Sequence, residues 1–447
     1  MPITFWVEFA VVLAAIFVGA RIGGIGLGTV AAFGLVVLIF GFGNKPGALP
    51  IDVIFIILSV ITAVAALQAA GGLDLMVQVA ERIIRKKPEA ITFVAPVVSY
   101  FFTFFAGTGH VAYSLLPVIA EVSRKAGVRP ERPMSISVIA SQQAITASPI
   151  SAATAGMIGL FAMNSSPLGL VDILIICLPA TLIGCLVGAC SVYRMGVELS
   201  EDPGYRERLE KGLIKETVNT SKSVPSSVGG GARTAIWIFA VAVIGVVLLG
   251  IFPSLRPEFP GAEKPVRMGM AHSIEIVMLA CAALIMLISR CKSDAVVGSS
   301  VMRAGVVAVI SILGIAWLGS TFFEAFQEQV IAGISDVIKA RPWVFSVGLF
   351  ALSILLYSQA ATVAALMHVG VALAIPFPFL IAMFPAVNGY FFLPTYGTIV
   401  AAISFDQTGT TGIGKYLLNH SFMRPGLVST ITAVVVGLLI AKLVYMR

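Results

Sequence analysis

Charge is what this 447-residue chain has least of: 11% of its residues are Asp, Glu, Lys or Arg, against about a quarter in a soluble domain. With 58% hydrophobic residues and a mean hydropathy of +1.00, that scarcity excludes a soluble globular domain and a disordered chain, which needs low hydrophobicity. A nucleic-acid binder gathers its basic residues on a wet face, whereas the 29 Lys and Arg here lie between long uncharged runs. Cysteine is also sparse. Cys177, Cys185, Cys190, Cys281 and Cys291 are odd in number, fall in or at the end of apolar segments and lack metal-type spacing, so they read as packing residues rather than zinc or redox ligands. The start, Met1-Pro2-Ile3-Thr4, lacks the basic stretch of a cleaved signal peptide, and the first apolar run is expected to be a permanent span.

What the chain does have is apolar runs of membrane length. They occupy roughly 4 to 19, 26 to 42, 50 to 69, 133 to 162, 169 to 193, 233 to 252, 269 to 290, 299 to 319, 378 to 405 and 425 to 445, ten expected crossings in an all-α integral membrane protein. Two further stretches, 90 to 124 and 342 to 375, are interrupted midway by Ala106-Gly107-Thr108-Gly109-His110 and by Ser358-Gln359-Ala360-Ala361-Thr362. Each half is expected to be too short to cross alone, so both read as re-entrant hairpins, because non-helical backbone at membrane depth survives only where it lines a cavity or is buried in protein. The crossings after them are broken too. Ser148 and Pro149 interrupt 133 to 162, and Pro394, Thr395, Tyr396, Gly397 and Thr398 interrupt 378 to 405.

These interruptions recur at a nearly constant offset. Thr108 and Gln359 are 251 residues apart, Ser148 and Thr395 are 247 apart, which marks an internal repeat. Each copy holds three crossings, an amphipathic stretch (73 to 87; 322 to 340), a hairpin, a broken crossing and a last crossing. Five crossings per copy is odd, so the second copy is expected upside down, the plan of a secondary transporter with a midplane site. The expected units are 1–194, a polar cytoplasmic linker 195–232, and 233–447. Lys and Arg divide 21 against 8 between the two sides, which puts the linker in the cytoplasm and both termini outside.

No Lys or Arg then remains in the middle of a span. Four interruptions rich in hydroxyls and glycine are left, and helix starts at mid-membrane expose N–H groups and positive dipole ends suited to an anion. His110 is a possible donor or titrating group at the first tip, with a packed imidazole as the alternative, and Tyr396 offers a phenol at a break. His368 reads as a helix-packing residue. Two near misses are rejected: Gly409 to Tyr416 has phosphate-loop spacing but Tyr416 replaces the Ser or Thr, and Gly107 to Ala112 follows a Phe-rich run instead of a strand. Ser114 and His110 suggest a hydrolase pair, but no third group orients the histidine; the chain is not expected to be an enzyme.

The segments GGLD (71 to 74), FAGTGHVAYSLLPVIAEV (105 to 122), ASPIS (147 to 151), LYSQAAT (356 to 362), LPTY (393 to 396) and DQTGTTGIGKYLLNHSF (406 to 422) resemble the anaerobic C4-dicarboxylate transporters of the Dcu type over nearly the whole chain. The resemblance implies a bacterial inner-membrane antiporter that takes up fumarate, malate or L-aspartate in exchange for succinate. The hairpin and broken-helix plan also looks like the wider ion transporter superfamily, implying a homodimer with elevator-like motion. That superfamily's Ser-Asn-Thr tips are replaced here by Gly107-Thr108-Gly109 and Ser358-Gln359-Ala360, which leaves the coupling ion, Na+ or H+, and any metal open. No cofactor and no nucleic acid is expected. The substrate is expected among Thr108, Gly109, His110, Ser148, Pro149, Ser358, Gln359, Ala360, Thr395, Tyr396 and Thr398. Rival readings are cation-coupled uptake, an anion channel, and a membrane sensor or scaffold whose loop 195 to 233 docks a partner such as a sensor kinase.

Overall fold

The computed structural model describes residues 2–445 apart from 23, 48, 50, 215–229, 261–265, 357, 395 and 415–417, and the side chains of 20, 52, 53, 110, 230 and 330–339 also fall outside the description. The described chain is almost entirely helical. In the first half the helices are α1 (Ile3–Ile22), α2 (Gly26–Val36), α3 (Ile51–Ala69), α4 (Gly72–Lys86), α5 (Ile91–Ala106), α6 (Ala112–Lys125), α7 (Glu131–Gln143), α8 (Ala152–Met163), α9 (Leu170–Val192) and α10 (Pro203–Glu210). The second half has α11 (Gly230–Ile251), α12 (Met270–Ser289), α13 (Ser293–Val297), α14 (Ser300–Ala340), α15 (Val344–Leu356), α16 (Gln359–Thr362), α17 (His368–Ala372), α18 (Phe377–Met383), α19 (Gly397–Phe405) and α20 (Met423–Tyr445).

Among the described residues, six helices are long and apolar enough to cross a bilayer, or seven if the bent pair α3 and α4 forms one span. One of the six corrects an expectation. The first arm of the 90 to 124 hairpin was expected to be too short to cross, but Pro88–Ala90 adds a tight helical turn before α5, and the 19 residues Pro88–Ala106 pass on length and composition. Proline at a helix start is favoured, since its fixed φ suits the helix and its missing N–H would be unpaired there anyway.

The two amphipathic stretches also differ. The first is a separate helix, α4, which leaves α3 at 72°; Gly71 makes that corner with φ +78°, a conformation open to glycine. The second continues from α14 across a kink at Phe326, where the backbone leaves helical φ/ψ, and among the described residues no left-handed glycine corner separates it from the preceding span.

Two interlocked groups of helices surround the centre. In one, α2 crosses α14 so closely that a Cβ on Gly28 would lie 2.0 Å from the Ile310 carbonyl oxygen, and one on Gly314 2.0 Å from the Gly28 oxygen. Such contacts are how helices associate where lipid supplies no hydrophobic drive. In the other, α5 packs on α7 and α9 on α20, with Tyr100, Phe161, Phe384, Phe391 and Phe422 fully buried. All five cysteines are unpaired, and Cys177 and Cys185 are buried in α9.

The first part of the 195–232 segment is docked against the start of α7 and the loop after α19. Arg129 pairs with Glu131 at 2.7 Å and Asp202 at 2.6 Å. Arg132, only 6% exposed, donates to the carbonyls of Met195 and Gly196 and pairs with Glu198. Arg208 of α10 donates to the Gln407 carbonyl. Within that last loop Asp406 is buried and accepts from the Thr408 and Thr411 amides and from the Thr408 and Thr410 hydroxyls.

Candidate functional site

Four helices begin at the centre of the molecule. α5 ends at Gly107, whose φ of +68° turns the chain, and α6 starts beyond the tight turn Gly109–Val111. The α7 helix stops at Gln143, and α8 restarts at Ala152 with the Ser151 hydroxyl accepting from the Thr154 amide. α16 begins after Ser358, whose hydroxyl accepts from the Ala361 amide. α19 begins at Gly397 after Tyr396. Ser is a favoured cap because its oxygen satisfies one of the orphaned first amides.

These starts enclose a cavity of about 510 Å³. One wall is made of Gly107, Thr108 and Gly109, of Ile150, Ala152 and Ala153, of Ser358, Gln359 and Ala360, and of Tyr396 and Gly397. Most of the rest of the lining comes from Val60, Ile61 and Val64 of α3 and from Val301, Ala304, Gly305, Val307, Ala308 and Ser311 of α14, apolar apart from the Ser311 hydroxyl. No Asp, Glu, Lys, Arg or His lines it among the described residues.

A chain of amides ties the second tip to α7 and α20 behind this wall. The Gln359 Nε2 donates to Gln142 Oε1 at 2.9 Å and to Asn388 Oδ1 at 3.1 Å, Asn388 Nδ2 donates to Gln143 Oε1 at 3.2 Å, and Gln143 Nε2 donates to Thr430 Oγ1 at 2.8 Å. Gln142 also underlies the first tip: a Cβ on Gly109 would lie 2.2 Å from its Nε2, a buried donor with no partner among the described residues. Gln142, Gln143 and Asn388 were not among the expected site residues. The signal present was a paired Gln-Gln starting six residues before Ser148 and a lone Asn in the apolar run that follows α18.

The expected residues divide accordingly. Thr108, Gly109, Ser358, Gln359, Ala360 and Tyr396 line the cavity. Ser148 and Pro149 are buried in the break, where the Ser148 hydroxyl donates to the Phe104 carbonyl at 2.7 Å and so ties the break to the first hairpin. Thr398 is 1% exposed, stands off the cavity wall, and its hydroxyl has no partner among the described residues. His110 sits in the turn Gly109–Val111, its side chain outside the description, and Thr395 lies outside the described residues altogether. His368 packs edge-on against Phe323 with Nδ1 3.2 Å from the Ala364 carbonyl.

The cavity continues to one side. A second space of about 420 Å³ shares Thr108, Val301 and Ala304 with it, and a third of about 500 Å³ shares Asp74, Val77 and Ser114 with the second. The third ends among Glu81, Arg85, Glu121 and Arg124. At this mouth Arg85 pairs with Glu81 and Glu121, and Lys125 with Glu121. Burial opposes ionisation of Glu121, but the bonds from Lys125 and Arg85 prevail and hold its carboxyl below the usual value. On the other side, a space of about 250 Å³ beside Glu324 and His368 shares no lining residue with the central cavity.

Residues 4–445 match the family model described as anaerobic C4-dicarboxylate membrane transporter. The chain belongs to that family. It is 43% identical over 436 residues to the C4-dicarboxylate transporter DcuA of Wolinella succinogenes and 44% identical over 437 residues to DcuA of Escherichia coli, each covering 98% of this chain and 99% of the relative. The anaerobic C4-dicarboxylate transporter DcuB of Escherichia coli is 38% identical over 445 residues, again 98% and 99% of the two chains. The transporter's fold is similar to that in the crystal structure of the Alcanivorax borkumensis YdaH transporter, with TM-score 0.57, 14% identity, and coverage of 88% of this chain and 85% of that one. The relatives are named as transporters, not enzymes.

Proposed function

We propose that this transporter exchanges C4-dicarboxylates, fumarate, malate or L-aspartate inward for succinate outward, across a bacterial inner membrane. The observation that carries the reading is the uncharged cavity lined by four helix starts, whose free amides and dipoles suit a dianion. Ten crossings in two inverted repeats, with both termini periplasmic, fit the paired interruptions and the 21 to 8 division of basic residues. The mouth between Arg85 and Arg124 then faces the cytoplasm, and the conformation is inward-open. The helix starts belong to the hairpins and broken helices and the mostly apolar remainder to α3 and α14; that division supports an elevator-like slide of one against the other in a homodimer.

Electrical work favours exchange. Carrying a dianion inward against 100 mV costs about 4.6 kcal/mol, a factor on the order of 10³, whereas swapping dianions cancels it. Proteoliposomes loaded with succinate are expected to take up labelled fumarate, and empty vesicles without an ion gradient are not. Equal uptake by both would overturn exchange. Uptake by empty vesicles that appears only with a sodium or pH gradient would favour cation-coupled uptake instead. Replacing Thr108 with Val is expected to abolish exchange with membrane insertion intact; unchanged transport would make that tip structural.

A further inference from the structure

On the far side of α4 and α5 from the substrate path, these helices and the start of α11 enclose an open groove of about 690 Å³. Its floor is apolar and uncovered: Val79, Ile83, Phe101, Phe105 and Trp237 are 48%, 44%, 38%, 48% and 72% exposed. The sharp turn of α4 away from α3 lays an amphipathic helix across one end, the geometry of a helix lying in the membrane interface. Arg82 and Arg233 line the same groove, both exposed and both without an ion-pair or hydrogen-bond partner among the described residues. No acidic residue lines it among the described residues.

Two unpaired guanidinium groups above a strip of large apolar side chains ask for an occupant that is anionic at one end and hydrocarbon at the other. Guanidinium matches phosphate with two parallel hydrogen bonds, and basic pockets between membrane helices suit anionic lipid headgroups. A second copy meeting this face across a two-fold axis would present the same patch, with two arginines and no acidic residue among its described lining, and so would bring no carboxylate to pair them. We propose that the groove is a binding site for an anionic phospholipid, its phosphate held by Arg82 and Arg233 and an acyl chain lying along Phe101, Phe105 and Trp237. The site holds a lipid whether transport is exchange or net uptake, so it stands apart from the functional reading above.

The test is native mass spectrometry of the full-length protein released from detergent with added dioleoyl phosphatidylglycerol or dioleoyl phosphatidylcholine. The anionic lipid is expected to be retained at least fivefold more than the zwitterionic one. The double variant Arg82→Gln, Arg233→Gln is expected to lose that excess, and Arg124→Gln, a cation outside the groove, to keep it. Equal retention of both lipids, or undiminished retention by the double variant, overturns the proposal. A second measurement needs no change to the arginines. In bilayer nanodiscs of phosphatidylcholine, phosphatidylglycerol with brominated chains is expected to quench a component of tryptophan fluorescence that Trp237→Phe removes and that brominated phosphatidylcholine at the same fraction does not quench. Equal quenching by the two lipids overturns the proposal. So does a disulfide dimer formed by Trp237→Cys in protein that retains no phosphatidylglycerol, which would give the face to a second copy.

Discussion

Gly109→Ala is expected to disable the transporter through one side chain, Gln142. The Gly109 φ is not in the left-handed region, so alanine is compatible with the backbone, and the cost lies in what its Cβ meets. That atom would lie 2.2 Å from Gln142 Nε2, 2.7 Å from Cδ and 2.9 Å from Oε1. To reach ordinary contact the amide must retreat by about 1 Å. Its Oε1 accepts from Gln359 Nε2 at 2.9 Å, so the retreat disturbs the bond that joins α7 to the second tip. Losing a neutral hydrogen bond costs about 1 kcal/mol, and leaving buried amide groups unpaired about 1–3 kcal/mol more. If that falls on the substrate-binding geometry, it is a loss of roughly 30-fold to 1000-fold in exchange. The assay is initial-rate exchange of labelled fumarate against internal succinate in proteoliposomes, with Gly109→Ala, Gln142→Ser and the double variant compared. Gln142→Ser already forfeits the Gln359 bond and removes the colliding amide, so the double variant is expected to be no worse than Gln142→Ser alone. Strict additivity of the two losses, or full exchange by Gly109→Ala, would refute the reasoning. Gly245, within α11 and with nothing near its Cβ position, is the control: its replacement by Ala is expected to leave exchange unchanged.

Thr398→Val is expected to keep exchange and raise the melting temperature, because it replaces a buried, unpartnered hydroxyl off the cavity wall with a methyl group, relieving about 1–3 kcal/mol; scintillation assay and thermal melting check the two halves. Ser148→Ala removes the donor to the Phe104 carbonyl and is expected to cost about 1–3 kcal/mol of stability, read as a lower melting temperature in detergent. For Glu121 the folded carboxyl titrates below its ordinary value, so its contribution is present above about pH 4.3 and is lost as pH falls through the lowered value. Glu121→Gln is therefore expected to cost a small amount at pH 7, under about 1 kcal/mol, and the difference from the parent is expected to shrink as pH falls through the lowered value; a difference that grows on acidification would contradict the sign.

The interruptions were legible because glycine, proline and serine stand out in apolar runs: Gly107 turns the chain with positive φ, Pro149 lacks an N–H to donate, and Ser358 caps a new helix start. Which side chain faces the cavity was not. Ser148 looks like Ser358 in sequence, yet it turns its hydroxyl to the Phe104 carbonyl while Ser358 caps α16 at the cavity edge. Thr398 is one residue beyond the cavity-lining Gly397, and the roughly 100° step per helical residue carries it off the wall. The Gln142–Gln359–Asn388–Gln143–Thr430 chain joins residues up to 287 apart in sequence, so no local pattern announces it. The first hairpin arm was read as short because its helix was counted from the apolar run and not from Pro88.

The scarcity of charge and the geometry of the cavity meet in one electrostatic account. A helix start carries roughly half a positive charge, concentrated within its first turn. The starts at Ala152, Gln359 and Gly397 turn positive ends toward the cavity, offset in part by the ends of α5 at Ala106 and of α15 at Leu356 on the same lining, so the helix termini offer partial positive charge placed at particular points rather than a full countercharge. Lysines or arginines would supply whole charges, but in the empty state each would be a buried unpaired ion costing several kcal/mol. Helix starts avoid that penalty, since each is balanced by the far end of its own helix and the empty cavity has no net charge to neutralise. With no Asp, Glu, Lys, Arg or His lining the cavity among the described residues, the charge that moves is that of the substrate and of any ion carried with it. The membrane potential then acts on loaded and empty forms by different amounts, and one-for-one exchange of dianions is the cycle in which that difference cancels.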